Sequence, residues 1–241
     1  WAKLLSIVES YLRCKEDVLM TKPLVKYFLA SMILMSFGAN FVVADDSDPV
    51  TVSHGYSFFG DLKYPADFAH LEYVNPTAPK GGEISQWGFG TFDSFNGYAR
   101  KGNSASLSSA PYETILTSFA DDLTSSYCYL CKTLEYPESR NWAIFNLRED
   151  ITFSDGSRLT ADDVKFTFEL FMDQGIPSYR AAVSGMVETI DVIDPFKIKF
   201  TFAADAPRRD VIDLAGGIPV FSKAWFEDTG ARLDESTLTP F

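Results

Sequence analysis

Two neighbouring stretches decide how this sequence folds. The first is Trp142-Ala143-Ile144-Phe145-Asn146-Leu147-Arg148, and the second is Leu159-Thr160-Ala161-Asp162-Asp163-Val164. The first predicts a strand that is apolar on both sides and therefore lies inside a sheet. The second predicts the start of a helix, because a threonine hydroxyl can cap the first turn and the two acids favour the positive end of the helix dipole.

The flanking residues extend this pattern in both directions. Ser154-Asp155-Gly156 predicts a turn, and Gly175-Ile176-Pro177 is typical of a helix end. Residues 196–202 alternate apolar and polar side chains, which predicts a half-buried strand that forms a hairpin with residues 187–193 around Asp194-Pro195. The class we expect is α/β or α+β, with mixed strands.

The upstream half is less regular, and its predictions are local. Residues 45–80 are rich in Pro, Tyr and Phe and predict an ordered coil. A strand is expected to begin at Glu83, and a short helix over residues 112–119 after Pro111. Asp121-Asp122 is interpreted as a solvated turn.

Composition excludes several classes of partner. The chain has 241 residues, 46% of them apolar, with 33 acidic against 21 basic side chains and a formal charge of −12. This balance argues against a nucleic acid partner, which would need clustered Lys and Arg, and disfavours anionic lipid. Two histidines, His54 and His70, are too few for most histidine-built metal or triad sites.

The first 44 residues predict export. Residues 1–19 precede the first methionine and are interpreted as an upstream segment foreign to the protein. Residues 20–44 have the layout of a cleaved secretory signal peptide, with lysines, an uncharged run, and small residues Val42 and Ala44 before the cut. A membrane anchor is the alternative, and the polar residues within the run disfavour it. We expect a soluble, periplasmic mature protein with no stable membrane insertion.

Cys128 and Cys131 are the only cysteines downstream of the predicted signal peptide. In an exported protein the pair can form a structural disulfide, stay as buried free thiols, or act as a thioredoxin-like redox motif. The redox hypothesis requires the first cysteine to lie at a helix N-terminus. It is disfavoured because no βαβ unit is predicted before this pair. Further ligands for a zinc site are absent from the sequence around them.

No catalytic constellation is evident, so we predict no catalytic residue, metal or cofactor. Nucleophile-elbow and phosphate-loop motifs are absent from the sequence, and Asp162 and Asp163 would point about 100° apart on a helix. What remains is a dense group of aromatic residues around a flexible loop, which suits the capture of a small amphipathic ligand; the alternative is that these rings are core. The group comprises Trp87, Phe89, Phe92, Phe95 and Tyr98.

The stretches quoted at the outset resemble the signature of family 5 bacterial solute-binding proteins, the extracytoplasmic receptors of ABC importers. Three upstream stretches are similar to the Yej-type oligopeptide-binding branch in particular. They are Tyr64-Pro65-Ala66-Asp67-Phe68, Tyr73-Val74-Asn75-Pro76 and Ala78-Pro79-Lys80-Gly81-Gly82. The resemblance runs from about His54 to Phe241, nearly all of the predicted mature chain.

The resemblance implies a two-lobe fold of the class II periplasmic binding proteins, of which this chain holds only the N-terminal part. Residues 45–111 would supply the N-terminal segment and first strand of lobe I, and residues 112–241 a truncated satellite subdomain. The peptide would pair with backbone as an added strand. The implied ligand-binding residues are Lys101, Gly102 and Asn103, with Trp87, Phe92 and Tyr98 nearby.

This chain departs from the family at Phe95-Asn96-Gly97, where many relatives carry Leu-Asp/Asn-Pro. The implied function is non-catalytic: a monomer that captures oligopeptides in the periplasm and delivers them to an inner-membrane ABC permease. The alternatives are an exported thiol–disulfide protein using Cys128 and Cys131, or a family 5 receptor for nickel, haem or a sugar.

Overall fold

Residues 48–235 are described by the computed structural model, and they form two antiparallel sheets and four helices. The predicted upstream segment and signal peptide lie outside these residues. In chain order the elements are β1 (Val50–Ser53), β2 (Gly55–Ser57), β3 (Leu116–Phe119), β4 (Asp122–Cys128), β5 (Cys131–Pro137), β6 (Trp142–Leu147), α1 (Ala161–Gln174), α2 (Pro177–Val183), β7 (Val187–Asp194), β8 (Lys197–Phe202), α3 (Val211–Gly216) and α4 (Lys223–Thr229). The mixed α/β class is confirmed.

The larger sheet has five strands in the order β1-β5-β6-β8-β7, so the predicted interior strand β6 is confirmed at its centre. Ala143 and Phe145 of β6 are fully buried. They meet the β8 side chains Ile198 and Phe200, which are equally buried, and the rings of Phe145 and Phe200 lie edge to face at 5.8 Å. The hairpin predicted around Asp194-Pro195 is confirmed as β7 and β8.

Helix α1 begins and ends where its sequence signals predict. The Thr160 amide and hydroxyl both donate to Asp163 Oδ2, at 2.8 and 2.9 Å. The other oxygen, Oδ1, accepts from the Lys223 amide at 2.9 Å. Asp163 therefore stabilises the start of α1 and also fixes the start of α4 against it.

The smaller sheet has the order β2-β4-β3 and corrects one prediction. Residues 112–119 do not form a helix; their last four residues are strand β3. Leu116 and Thr117 pair with Cys128 and Tyr127 of β4, and Leu116 is 4% exposed. The β-branched and aromatic side chains of this stretch favour a pleated surface once a partner strand is available.

The strand predicted from Glu83 is also wrong. Residues 83–89 pair with no strand within residues 48–235. A strand exists only where a neighbour accepts and donates its backbone hydrogen bonds. The apolar side chains of this stretch are instead solvent-exposed: Ile84 by 84%, Trp87 by 85% and Phe89 by 89%.

The predicted coil contains two strands as well as a long irregular stretch. Strands β1 and β2, at residues 50–57, pair with β5 and β4, about 70 to 85 residues downstream. Both sheets therefore include strands from the predicted N-terminal segment. The boundary at residues 111 and 112 stays a prediction.

The predicted solvated turn at Asp121-Asp122 is right for Asp121, which lies in an exposed turn, and wrong for Asp122, which is 9% exposed and begins strand β4. The Tyr64 hydroxyl donates to Asp121 Oδ2 at 2.5 Å, and Lys63 Nζ lies 2.7 Å from the same oxygen. The Tyr127 hydroxyl donates to Asp122 Oδ2 at 2.6 Å. The two carboxylates hold the coil against the smaller sheet, and this network explains why Tyr64 is only 3% exposed.

Candidate functional site

The segment that the resemblance assigns to the ligand is a loop closed at its base, which we call the 93–105 loop. The amides of Asp93 and Ser94 both donate to the Asn103 carbonyl, at 3.0 and 3.2 Å, and the Asn103 amide donates to Asp93 Oδ1 at 2.6 Å. The Ala105 amide then donates to the Ser94 carbonyl at 2.8 Å. These bonds join residues about ten apart in sequence, so the loop holds its shape without a neighbouring strand.

The interior of the loop is ordered by Asn96, which is 1% exposed. Its Oδ1 accepts from the Tyr98 amide at 3.1 Å, a local turn that asparagine favours. A Cβ atom on the next residue, Gly97, would lie 2.9 Å from Ser108 Oγ and 3.0 Å from the Ser109 amide nitrogen. The Phe95-Asn96-Gly97 departure from the family pattern therefore allows the loop to pack closely on residues 108–109.

Tyr98 anchors the loop to the core. Its ring packs edge to face against Tyr112, Phe171 and Phe221, with centroids 5.2 to 5.9 Å apart. Burial raises the pKa of the Tyr98 hydroxyl. Close by, the Arg100 amide donates to the Leu233 carbonyl at 2.6 Å. Of the predicted ligand-binding residues, Tyr98 is the one whose ring the structure places largely within the protein.

The tip of the loop is exposed and consists of Lys101 and Gly102. Gly102 has a φ of +91°, in the left-handed region that other residues rarely adopt. The backbone polar groups of Asn103 are engaged in closing the loop. The two tip residues therefore present the backbone that is most accessible to a ligand.

Exposed aromatic pairs lie in the chain before and within the loop. Phe92 and Phe95 are 55% and 49% exposed, with ring centroids 5.1 Å apart. Trp87 and Phe89 are more exposed, and their centroids lie 5.9 Å apart. The predicted contacts Trp87 and Phe92 are thus solvent-accessible in the structure, unlike most of the Tyr98 ring.

Sequence reasoning missed a cleft of about 540 Å³ on the other side of the loop's anchor. It lies between residues 111–113, the 151–155 turn and helix α4. Tyr112 and Phe221 line the cleft and also contact Tyr98. No motif marks this cleft, because its walls come from separate segments that only the fold brings together.

The structure places Cys128 and Cys131 in a disulfide between the end of β4 and the beginning of β5. The bond therefore ties the smaller sheet to the larger one. Both cysteines lie on strands, whereas a reactive thiol of the thioredoxin type needs a helix N-terminus. Cys131 is only 2% exposed.

Within residues 48–235, no three His, Cys, Asp or Glu side chains are grouped as metal ligands. In that same part of the chain, each helix is too short or too polar to cross a bilayer.

Comparison with known proteins places the chain in a family. Residues 130–238 match the family described as "Bacterial extracellular solute-binding proteins, family 5 Middle". YejA of Escherichia coli strain K12 is 33% identical over 208 residues, covering 86% of this chain and 33% of that protein. The chain belongs to the family 5 solute-binding proteins. The predicted similarity to the Yej-type branch is confirmed as well.

Two relatives of this family 5 chain come from Agrobacterium fabrum. The "Probable peptide-binding protein YejA" is 34% identical over 206 residues, which cover 84% of this chain and 33% of that protein. The "Peptidoglycan-binding protein YepA" is 35% identical over 178 residues, covering 70% and 29%. The chain thus spans about a third of the length of these curated relatives.

Solved structures similar to this family 5 chain include DppA from Helicobacter pylori in complex with the peptide STSA. It has a TM-score of 0.42 and 18% identity, and the match covers 49% of this chain and 26% of DppA. Another is NikZ from Campylobacter jejuni in complex with Ni(L-His). It has a TM-score of 0.42 and 22% identity, and the match covers 52% of this chain and 24% of NikZ.

Proposed function

We propose that this protein is the binding component of an ABC importer that captures oligopeptides outside the cytoplasmic membrane and passes them to a permease. It binds its ligand reversibly and does not transform it. The observation that carries the proposal is the 93–105 loop, whose base is closed by hydrogen bonds while its tip stays exposed. The relative named as a probable peptide-binding protein supports the choice of ligand.

The loop suits an extended peptide. A bound peptide adds as a strand along the backbone of Lys101 and Gly102, since main-chain hydrogen bonds recognise any sequence. Asn103, whose backbone groups close the loop, offers its exposed side chain. The exposed rings of Trp87 and Phe92 give apolar side chains a surface to pack against. In this proposal Tyr98 holds the loop in place and contacts the ligand only at its exposed edge.

The exposed segment 83–89 supports the two-lobe fold as part of the proposal. The segment exposes three large apolar side chains, Ile84, Trp87 and Phe89, each by 84 to 89%. An exposed apolar patch of this kind usually marks a surface that another part of a protein or a ligand covers. In a two-lobe protein this segment is the first strand of lobe I. Further strands of that lobe then pair with its two backbone edges, which leaves the Trp87 ring able to contact a ligand held between lobe I and a second lobe that closes on it.

Isothermal titration calorimetry on the complete gene product tests the function. We expect saturable binding of short peptides by the complete product, and weak or no binding by a polypeptide limited to residues 45–241. If the complete product binds no peptide in a mixture of di- to pentapeptides, the proposed function is wrong. Submicromolar binding by residues 45–241 alone would contradict the two-lobe arrangement.

A second candidate ligand is a peptidoglycan fragment, favoured by the relative named as peptidoglycan-binding, which is 35% identical. Competition separates the two ligands. If muropeptides displace a bound tripeptide at much lower concentration than the free stem peptide does, the sugar contributes to binding. Equal displacement by the stem peptide alone identifies the peptide as the recognised part.

The two remaining alternatives have less support. A thiol–disulfide function would require a reactive sulfur, whereas Cys131 is 2% exposed and lies on a strand. A receptor for nickel would need metal ligands from elsewhere, because within residues 48–235 no three His, Cys, Asp or Glu side chains are grouped to hold a metal ion. For haem or a sugar, the described residues offer no supporting observation.

A further inference from the structure

The charge at the tip of the 93–105 loop is unusual for this protein. The chain as a whole has a formal charge of −12, yet the tip carries the cation Lys101, and a second cation, Arg100, directly precedes it. The carboxyl pKa of Asp234 is lowered chiefly by the hydrogen bond from Arg232 and to a smaller extent by the charge of Arg100, so Arg100 has an acid close by. Among residues 48–235, by contrast, no carboxylate forms an ion pair with Lys101.

Asp93, the acid within the loop, is not among the carboxylates that form an ion pair with a cation in residues 48–235. Asp93 lies at the base, where its Oδ1 accepts the Asn103 amide at 2.6 Å. That bond closes the loop, so the carboxylate is engaged at the base. Lys101 therefore remains an exposed cation at the tip.

The closed loop also restricts the positions that the ammonium group of Lys101 can reach. The bonds between Asp93, Ser94 and Asn103 fix the backbone on either side of the tip, and Gly102 allows the turn that follows Lys101. Fixing the backbone before binding lowers the entropy that is lost when a ligand binds. Only the lysine side chain remains to be ordered.

We propose that Lys101 binds a carboxylate of the bound peptide and so gives the protein a preference for acidic peptides. This inference rests on the proposed function and adds to it the chemical class of the ligand. The net negative charge of the rest of the chain opposes such ligands, but that field is screened beyond about 10 Å. At contact, a charge-assisted hydrogen bond from the ammonium group outweighs it.

A peptide offers this carboxylate from two sources, its C-terminus or an acidic side chain, and four probes separate them. The probes are trialanine, trialanine amide, alanyl-aspartyl-alanine and alanyl-asparaginyl-alanine. We expect the complete gene product to bind the probe with the recognised carboxylate about tenfold more tightly than its neutral counterpart. The amide pair reports the C-terminus, and the Asp/Asn pair reports the side chain.

Lys101→Gln is expected to reduce the ratio of the two affinities from about tenfold to about one, whatever it does to the affinity for peptide in general. Lys80→Gln, an exposed lysine outside the loop, is the matched control and should keep the preference. Equal affinity of the unmodified protein for acidic and neutral probes, or an undiminished preference in Lys101→Gln, would overturn the inference. If no probe binds to the unmodified protein, the proposed function itself fails.

Discussion

In this protein a single side chain can cap one helix and also hydrogen-bond to a second, distant helix. Asp163 is 7% exposed and accepts three hydrogen bonds, two from Thr160 and one from the Lys223 amide. The capping role follows from sequence, because a threonine three residues before an acid at a helix start is a local signal. The bond to Lys223 does not, because it joins residues 60 apart.

Replacing Asp163 should therefore cost more than a cap alone. For Asp163→Ala we expect the free energy of unfolding to fall by about 2 kcal/mol, since a buried amide on α4 also loses its acceptor. Asp162→Ala, an exposed acid in the same helical turn, should cost less than about 1 kcal/mol. Urea unfolding followed by tryptophan fluorescence measures both, and equal losses would contradict the dual role.

Asp121 makes stability depend on pH in a defined direction. Hydrogen bonds from Lys63 and then Tyr64 lower its carboxyl pKa below the ordinary 3.8. The unfolded chain therefore binds the proton more readily, so this contribution is complete above pH 3.8 and is lost as pH falls through the folded pKa.

Asp121→Asn should thus lower stability at pH 7 and reduce the loss of stability on acidification. Tyr64→Phe, which removes one of the two donors, should give an intermediate dependence. The measurement is the urea midpoint between pH 7 and pH 2.5. If the urea midpoint of Asp121→Asn falls with decreasing pH as steeply as that of the unmodified protein, this carboxylate does not contribute to the pH dependence of stability.

At the scale of elements, the sequence predicts what is local and misses what depends on a distant partner. Strand β6, the hairpin and helix α1 carry their own periodicity and caps. Strands β1 and β2, of four and three residues, pair with β5 and β4 and are too short to carry a clear periodicity of their own. The candidate loop was placed by resemblance, but its closure by Asp93 and Asn103 is visible only in three dimensions.

The disulfide between β4 and β5 is expected to stabilise the fold modestly. It closes a very short loop, which in the chain-entropy account corresponds to about 2 kcal/mol. The backbone there is also held by hydrogen bonds from the Cys128 amide to His54 and from the Arg148 amide to Leu130, both 2.9 Å. The double variant Cys128→Ser, Cys131→Ser should therefore fold.

Urea unfolding with and without a reductant measures this contribution. The reductant should destabilise the unmodified protein by the same amount as the double substitution does, and should leave the double variant unaffected. A double variant that fails to fold would show that the bond is required for the two sheets to assemble.

At the scale of the whole molecule, the exposed apolar segment 83–89 has no partner strand within residues 48–235. If it is the first strand of lobe I, its amides should exchange with deuterium within seconds in a polypeptide limited to residues 45–241. In the complete gene product they should be protected by the strands beside them. Equally fast exchange in both would contradict the two-lobe fold.

The central claim is that the protein holds a peptide and releases it unchanged. Equilibrium dialysis of the complete gene product against a labelled tripeptide, followed by mass spectrometry of the recovered ligand, tests it most directly. We predict saturation at one peptide per chain, with the full amount recovered intact after the protein is denatured. Failure to concentrate the peptide, or recovery of cleaved products, would contradict the account.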